Sequence, residues 1–224
     1  MTSTPLQIEL DNGDSVSALL TTPDRAHAGY VFAHGAGAGM NHRFMEDVAQ
    51  GLAERGMATL RYQFPYMEKG SKRPDVPRVA HAAVRAAVDE AARRWPQLPL
   101  FAGGKSFGGR MTSQAHAGSP LPGVQGLVFF GFPLHPAGKP AVERGEHLLA
   151  IECPMLFLQG SRDELADAAL LRGLVDRLGA RATLHMVDNA DHSFHVPSRS
   201  GTNDAQVREG LLDALVRWAR QRTG

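Results

Sequence analysis

Ser106 stands between two glycines, as Gly104-Lys105-Ser106-Phe107-Gly108, just after the apolar run Leu98, Leu100, Phe101 and Ala102. A G-x-S-x-G motif between a strand and a helix is a nucleophile elbow, a turn sharp enough to hold its serine in strained backbone geometry. Residues two before and two after the serine approach each other there, so a side chain at either would clash and glycine is needed at both. The hydroxyl then lies at a helix N-terminus, where unbonded N–H groups and the helix dipole favour developing negative charge. Further glycines at 103 and 109 suit a tightly packed turn. The same residues resemble the end of a phosphate loop, G-x-x-x-x-G-K-[ST], but that pattern requires glycine where Pro99 stands, and nucleotide binding is set aside.

A serine hydroxyl is a weak nucleophile and needs a base to take its proton and a third group to orient that base. The acid candidate downstream is Asp163, in Gln159-Gly160-Ser161-Arg162-Asp163 after a buried apolar run, with Glu164 and Asp167 as rivals. The base candidate is His192, in the loop from Asn189 to His195, with His185 and His195 as rivals. Asp188, Asp191, His192 and His195 imitate a metal-ligand run, but no second cluster accompanies them and no metal is expected. His34-Gly35-Ala36-Gly37-Ala38-Gly39 is a second glycine-rich loop, directly after the apolar Tyr30-Val31-Phe32-Ala33. His34 is expected to shape that loop rather than react.

The elements that must position these residues are legible from periodicity. Residues 6–10 and 16–20 alternate apolar and polar around an Asn12-Gly13 turn, which predicts an antiparallel edge hairpin. Short runs at 30–33, 57–62, 98–102, 124–130, 155–158 and 182–187 predict strands, with those at 30–33, 98–102 and 155–158 apolar enough to be buried. Helical spacing is found around Phe44, Val48 and Leu52 with Asn41 as the candidate cap, and over 79–95, 165–178 and 205–220; the segment after the elbow also reads as helical. Strands alternating with helices imply parallel pairing through right-handed crossovers and a three-layer α/β fold. Ligands in such folds sit beyond the carboxyl ends of the strands, which places Ser106, Asp163, His192 and the His34 loop at one edge of the sheet.

The 224 residues suffice for a single domain spanning 1–224 with a substantial core, 43% hydrophobic and 21% charged. A net charge of +1 gives no general pull toward nucleic acid. The one cysteine, Cys153, has no internal disulfide partner and reads as an apolar residue rather than a nucleophile. No basic start followed by an apolar core is found, and no apolar run approaches the ~20 residues that span a bilayer, so a cytoplasmic protein without a membrane partner is expected.

On the motifs at 34–39, 104–108, 159–164 and 190–194, the chain resembles a small α/β-hydrolase of the dienelactone-hydrolase-like branch over nearly its whole length. The resemblance implies a mostly parallel sheet of seven to eight strands with an antiparallel N-terminal hairpin and no cap domain, since 131–154 is too short for a helical lid. It implies Ser106 as nucleophile, His192 as base and then acid, and Asp163 as the group that orients His192. The oxyanion hole would use the N–H of Phe107 and a second from Ala36, with Gly35 as the neighbouring choice. His34, Gly37, Lys105 and Phe132 are expected around the substrate, with walls from 63–78 and 132–134; Lys105 reads as a surface residue at the helix start or as a preference for acidic substrates. The expected activity needs no cofactor and acts on a small-molecule ester or thioester, from a monomer or homodimer. A peptidase or amidase with the same triad, or a binding module without catalysis, are the alternatives. Dienelactone hydrolases proper carry a nucleophilic cysteine, and Ser106 argues against that specificity.

Overall fold

The short apolar runs form six neighbouring strands of one eight-stranded sheet in the computed structural model, which describes residues 2–223. In chain order the elements are β1 (Thr4–Glu9), β2 (Ser15–Thr21), β3 (Ala28–Ala33), α1 (Arg43–Glu54), β4 (Met57–Tyr62), α2 (Pro65–Glu68) and α3 (Pro77–Arg94). There follow β5 (Leu100–Lys105), α4 (Phe107–Gly118), β6 (Val124–Phe130), β7 (Met155–Gly160), α5 (Ala168–Leu178), β8 (Ala182–Val187) and α6 (Asp204–Arg220). The strands lie in the order β1-β2-β4-β3-β5-β6-β7-β8. β1 and β2 form the antiparallel hairpin, β2 also runs antiparallel to β4, and all remaining pairs are parallel.

The central strands read as unbroken apolar runs because each feeds two cores at once. Val31, Ala102, Leu127, Phe129 and Phe157 face α3, α4 and α5, which supply Ala83, Val84, Met111 and Leu171. Their neighbours Tyr30, Phe32, Phe101, Val128, Phe130 and Leu158 face α1 and α6, which supply Met45, Leu52, Leu211 and Trp218. Alternation of side chains across a strand therefore survives within a sequence that shows no alternation.

Helix starts depart from the sequence reading where caps decide them. His42, not Asn41, caps α1, its Nδ1 accepting from the Phe44 N–H at 3.2 Å. α3 begins two residues earlier than periodicity indicates, because Pro77 at its first position needs no N–H partner. α5 begins at Ala168 rather than 165, since Asp167 Oδ1 accepts from the N–H groups of Ala169 and Leu170, both at 3.0 Å. The connection between β6 and β7 holds a 3₁₀ run over Glu143–Ala150 and no cap domain.

β5 continues through Gly103 and Gly104 to Lys105, past the point where its apolar run stops. The turn that follows presses against the end of β3. A Cβ on Gly104 would lie 2.4 Å from the Ala33 carbonyl oxygen, and one on Gly108 2.6 Å from the carbonyl oxygens of both Ala33 and His34. These neighbours are main chain and cannot turn aside. We expect Gly108→Ala to lower the unfolding free energy by about 1–3 kcal/mol in urea denaturation. Gly173→Ala, exposed in α5 with nothing within 4 Å of the added Cβ, should raise it by roughly 0.5–1 kcal/mol.

Candidate active site

Ser106 lies between β5 and α4 with φ 50° and ψ −115°, a conformation a side chain rarely adopts. Non-glycine backbone of this kind costs on the order of 1–3 kcal/mol and persists only where the surroundings impose it. Here the Ser106 N–H donates to the Phe130 carbonyl at 3.0 Å, and the two flanking glycines seat the turn on β3. The Oγ atom is thereby lifted out of the sheet edge, where it lies 2.8 Å from His192 Nε2.

His192 and Asp163 come from adjacent loops that are joined along their backbones. Arg162 N–H donates to the Ala190 carbonyl and Ser161 N–H to the Val187 carbonyl, both at 2.9 Å, and Asn189 N–H donates to Ser161 Oγ. Gly160 allows this contact, for a Cβ there would sit 2.4 Å from the Ala190 oxygen. The result places His192 Nδ1 2.7 Å from Asp163 Oδ2. The Asp163 side chain is fully buried while that of His192 is 25% exposed. The carboxylate is satisfied on every side: Oδ2 also accepts from Gln159 Nε2 at 2.6 Å, and Oδ1 accepts from the Leu165 N–H at 2.8 Å. Gln159, fully buried, uses its own oxygen to accept from the Phe132 N–H at 2.8 Å. Its function is invisible in a single sequence.

The rivals for these positions have other work. Asp167 caps α5, His195 pairs with Asp204 on the surface at 2.8 Å, and His185 lies within β8. Among the described residues no group of His, Cys, Asp and Glu could hold a metal ion. Cys153, half-buried, has its thiol pushed up to about 11 by burial.

The N–H groups of Phe107, first residue of α4, and of Ala36 find no acceptor among the described residues. The loop carrying Ala36 is braced from behind. Tyr66 Oη donates to the Ala36 carbonyl at 2.8 Å, and Gln63 Oε1 accepts from the Met40 N–H at 2.9 Å. His34, fully buried, donates from Nδ1 to the Gly35 carbonyl at 2.8 Å and accepts on Nε2 from the Phe64 N–H at 3.0 Å. Burial holds its pKa down to about 4, so it is neutral.

A cleft of about 340 Å³ opens over Ser106. It is lined by Gly35, Ala36, Gly37 and Ala38, by His42, Phe44 and Met45 from the start of α1, and by Lys105, Ser106, His192 and Ser193. His34 and Phe132, expected around the substrate, are both fully buried and do not reach it. The expected walls from 63–78 and 132–134 are likewise absent from the lining, because the first segment braces the glycine loop and Phe132 packs on Phe129 and Phe157. Sequence reading missed both Phe44, whose helical spacing with Val48 and Leu52 announces only a packed face, and Met45, which it does not single out. Lys105, half-buried, turns its ammonium inward, where Nζ donates to the His192 carbonyl at 2.6 Å.

Chemically, the arrangement offers a hydroxyl with a proton acceptor in place, a buried carboxylate behind that acceptor, and unbonded N–H groups beside the hydroxyl. A family model described as alpha/beta hydrolase domain matches residues 26–220. Among solved structures, the chain is similar to the esterase domain of a Rhodothermus marinus protein, at 19% identity over 100% of both chains with a TM-score of 0.75. It is similar to an α/β serine hydrolase without lid from Xanthomonas campestris, at 21% identity over 97% of this chain and 95% of that one, TM-score 0.74. A dienelactone hydrolase from Anabaena variabilis matches at 20% identity over 99% and 96%, TM-score 0.73. At these identities the likeness establishes the fold. No helix among the described residues is long and apolar enough to cross a membrane.

The buried neutral His34 sets an acid limit on stability. Below pH 6.5 the unfolded imidazole takes up a proton that the folded one refuses until about pH 4, so the unfolded state binds more protons in that window. Unfolding free energy should therefore fall as pH drops from 6.5 toward 4, with His34 contributing a slope of about 1.4 kcal/mol per pH unit. Chemical denaturation of wild type and His34→Gln across that range measures the contribution.

Proposed function

The chain belongs to the alpha/beta hydrolase domain family, and we propose that it is a serine hydrolase cleaving a carboxylic ester or thioester through an acyl-enzyme on Ser106. The observation that carries this reading is the unbroken line of hydrogen bonds from Ser106 Oγ through His192 to Asp163, at 2.8 and 2.7 Å. Ser106 attacks the substrate carbonyl carbon as its proton passes to His192 Nε2. The carbonyl π electrons move onto oxygen, and the Phe107 and Ala36 N–H groups donate to that oxyanion; each such donor contributes about 2.7–4 kcal/mol to the transition state. Collapse breaks the bond to the leaving oxygen or sulfur, which takes the proton from His192. A water then gives its proton to His192, attacks the acyl carbon, and releases the carboxylic acid as the proton returns to Ser106. Asp163 holds the Nδ1–H tautomer that leaves Nε2 free to accept and faces the imidazolium when it forms. Gln159 holds Asp163.

An uncapped cleft floored by glycine main chain and walled on one side by Phe44 and Met45 favours a short acyl group. Among p-nitrophenyl esters of two to twelve carbons, turnover should be greatest at short chain lengths. Ser106→Ala should abolish it, by roughly 10⁶-fold in kcat if the three residues act as a unit. A fluorophosphonate probe should label Ser106. Absence of both turnover and labelling would leave a binding module; labelling without turnover on any ester would point to an amide or another acyl group.

Tyr66→Phe removes the hydroxyl that fixes the Ala36 carbonyl while leaving the ring packed on Phe107. It should lower kcat several-fold with little change in KM, since the Ala36 N–H is used chiefly in the transition state. Steady-state kinetics on p-nitrophenyl butyrate checks this.

A further inference from the structure

Lys105 precedes Ser106 and carries an ammonium whose surroundings are unusual. It is half-buried, and its ammonium is in no ion pair among the described residues. Its one hydrogen bond runs to the main-chain carbonyl of His192, 87 residues away in sequence, at 2.6 Å. The ammonium also lies 5.5 Å from the centre of the Phe194 ring and 6.0 Å from that of Phe44. Gly131 leaves the space it occupies: a Cβ there would stand 3.0 Å from Lys105 Nζ and 3.4 Å from His192 Nδ1 and Cε1.

The loop that carries His192 needs holding. Asn189 and Phe194 both take left-handed backbone conformations, at φ 61° and 64°, without being glycine. On its outer side Asp191 Oδ1 accepts from the N–H groups of Ser193 and His195 at 2.8 and 2.9 Å. On its inner side the bond from Lys105 reaches the peptide of the histidine itself. Asp163 holds the imidazole ring and the backbone bonds to the Asp163 loop hold residues 187 and 190, whereas Lys105 is the side chain that holds the peptide of His192.

Resting on the acyl-enzyme reading, we propose that Lys105 is a positioning residue for His192, tying the backbone of the proton acceptor to the residue beside the nucleophile and so holding the Ser106–His192 distance. A charged donor makes this bond stronger than a neutral one. The charged and titratable groups around the ammonium are Asp163 from the loop after β7 and Asp191 and His192 from the loop after β8; α1 and its cap bring Phe44 and His42. Burial pulls the ammonium down to about 8, against the opposing pull of Asp163 and Asp191. The tie then weakens as the proton is lost around pH 8.

The test is kinetics on the neutral ester p-nitrophenyl butyrate as a function of pH, with the labelling rate of Ser106 by a fluorophosphonate beside it. Lys105→Met should lower kcat roughly ten- to a hundredfold and slow labelling to match, with KM within about twofold. In wild type kcat should fall above pH 8, and this alkaline limb should be missing in Lys105→Met. Lys105→Arg, which keeps charge and donor, should recover activity and move the limb beyond pH 10. Should Lys105→Met fail to fold, the wild-type limb and its displacement in Lys105→Arg still decide the matter. Unchanged kcat and labelling in Lys105→Met would overturn the proposal. So would a loss confined to KM, or to an ester with a carboxylate on its acyl group such as p-nitrophenyl hemisuccinate, which would make Lys105 a substrate contact. Failure of wild type itself to label would instead remove the acyl-enzyme reading, and this inference with it.

Discussion

The site depends on main chain packed against main chain more closely than any side chain permits. Two such contacts set its geometry. At one, the turn around Ser106 sits on the carbonyls of Ala33 and His34 through Gly104 and Gly108. At the other, the end of β7 meets the carbonyls of Ala190 and Asp191 through Gly160. The first fixes where the serine stands relative to the loop that carries Ala36. The second fixes where the histidine loop stands relative to Asp163. Hydrogen bonds at 2.7 and 2.8 Å tolerate little error in either. The side chains that complete the line therefore inherit their geometry from contacts between backbones, and those contacts are set by residues that have no side chain.

Buried polar groups extend this scaffold without leaving it under-bonded. A carboxylate taken out of water is costly unless its lone pairs find donors. Asp163 receives three, from His192, Gln159 and the Leu165 N–H. Gln159 would be costly in the same way, and both ends of its amide are used. His34 resolves the problem differently: buried without a charged partner, it is held neutral, one nitrogen donating and the other accepting. The three residues use different chemistry to meet one requirement, that each find a partner once it is taken out of water.

Much of this was legible in the sequence, for identifiable reasons. The order of strands and helices follows from apolar runs and their periods, which the two cores impose directly. Ser106, Asp163 and His192 stand out because glycine-bounded loops after apolar strands are where an α/β sheet exposes side chains. What escaped was of two kinds. Local competition hid some of it: a helical period that begins at 165 does not show that Asp167 caps the helix and starts it at Ala168. Long-range contact hid the rest. The bond that Lys105 makes escaped because the carbonyl it meets lies 87 residues away, and Phe44 read only as one face of a helix because its spacing is the same whether it faces a core or a cleft.

The distribution of exposure along the hydrogen-bonded line bears on the proposed reaction. Asp163 is wholly shielded, whereas a quarter of the His192 side chain faces solvent. Shielding the carboxylate keeps its attraction for the imidazolium from being screened by water. Exposing the histidine serves the second half of the reaction, in which a water molecule must reach Nε2 with the acyl group still on Ser106. A fully enclosed histidine would favour the first half and stall the second. With no cap domain between β6 and β7, the proposed acyl group on Ser106 would face the open side of the cleft, from which that water would come.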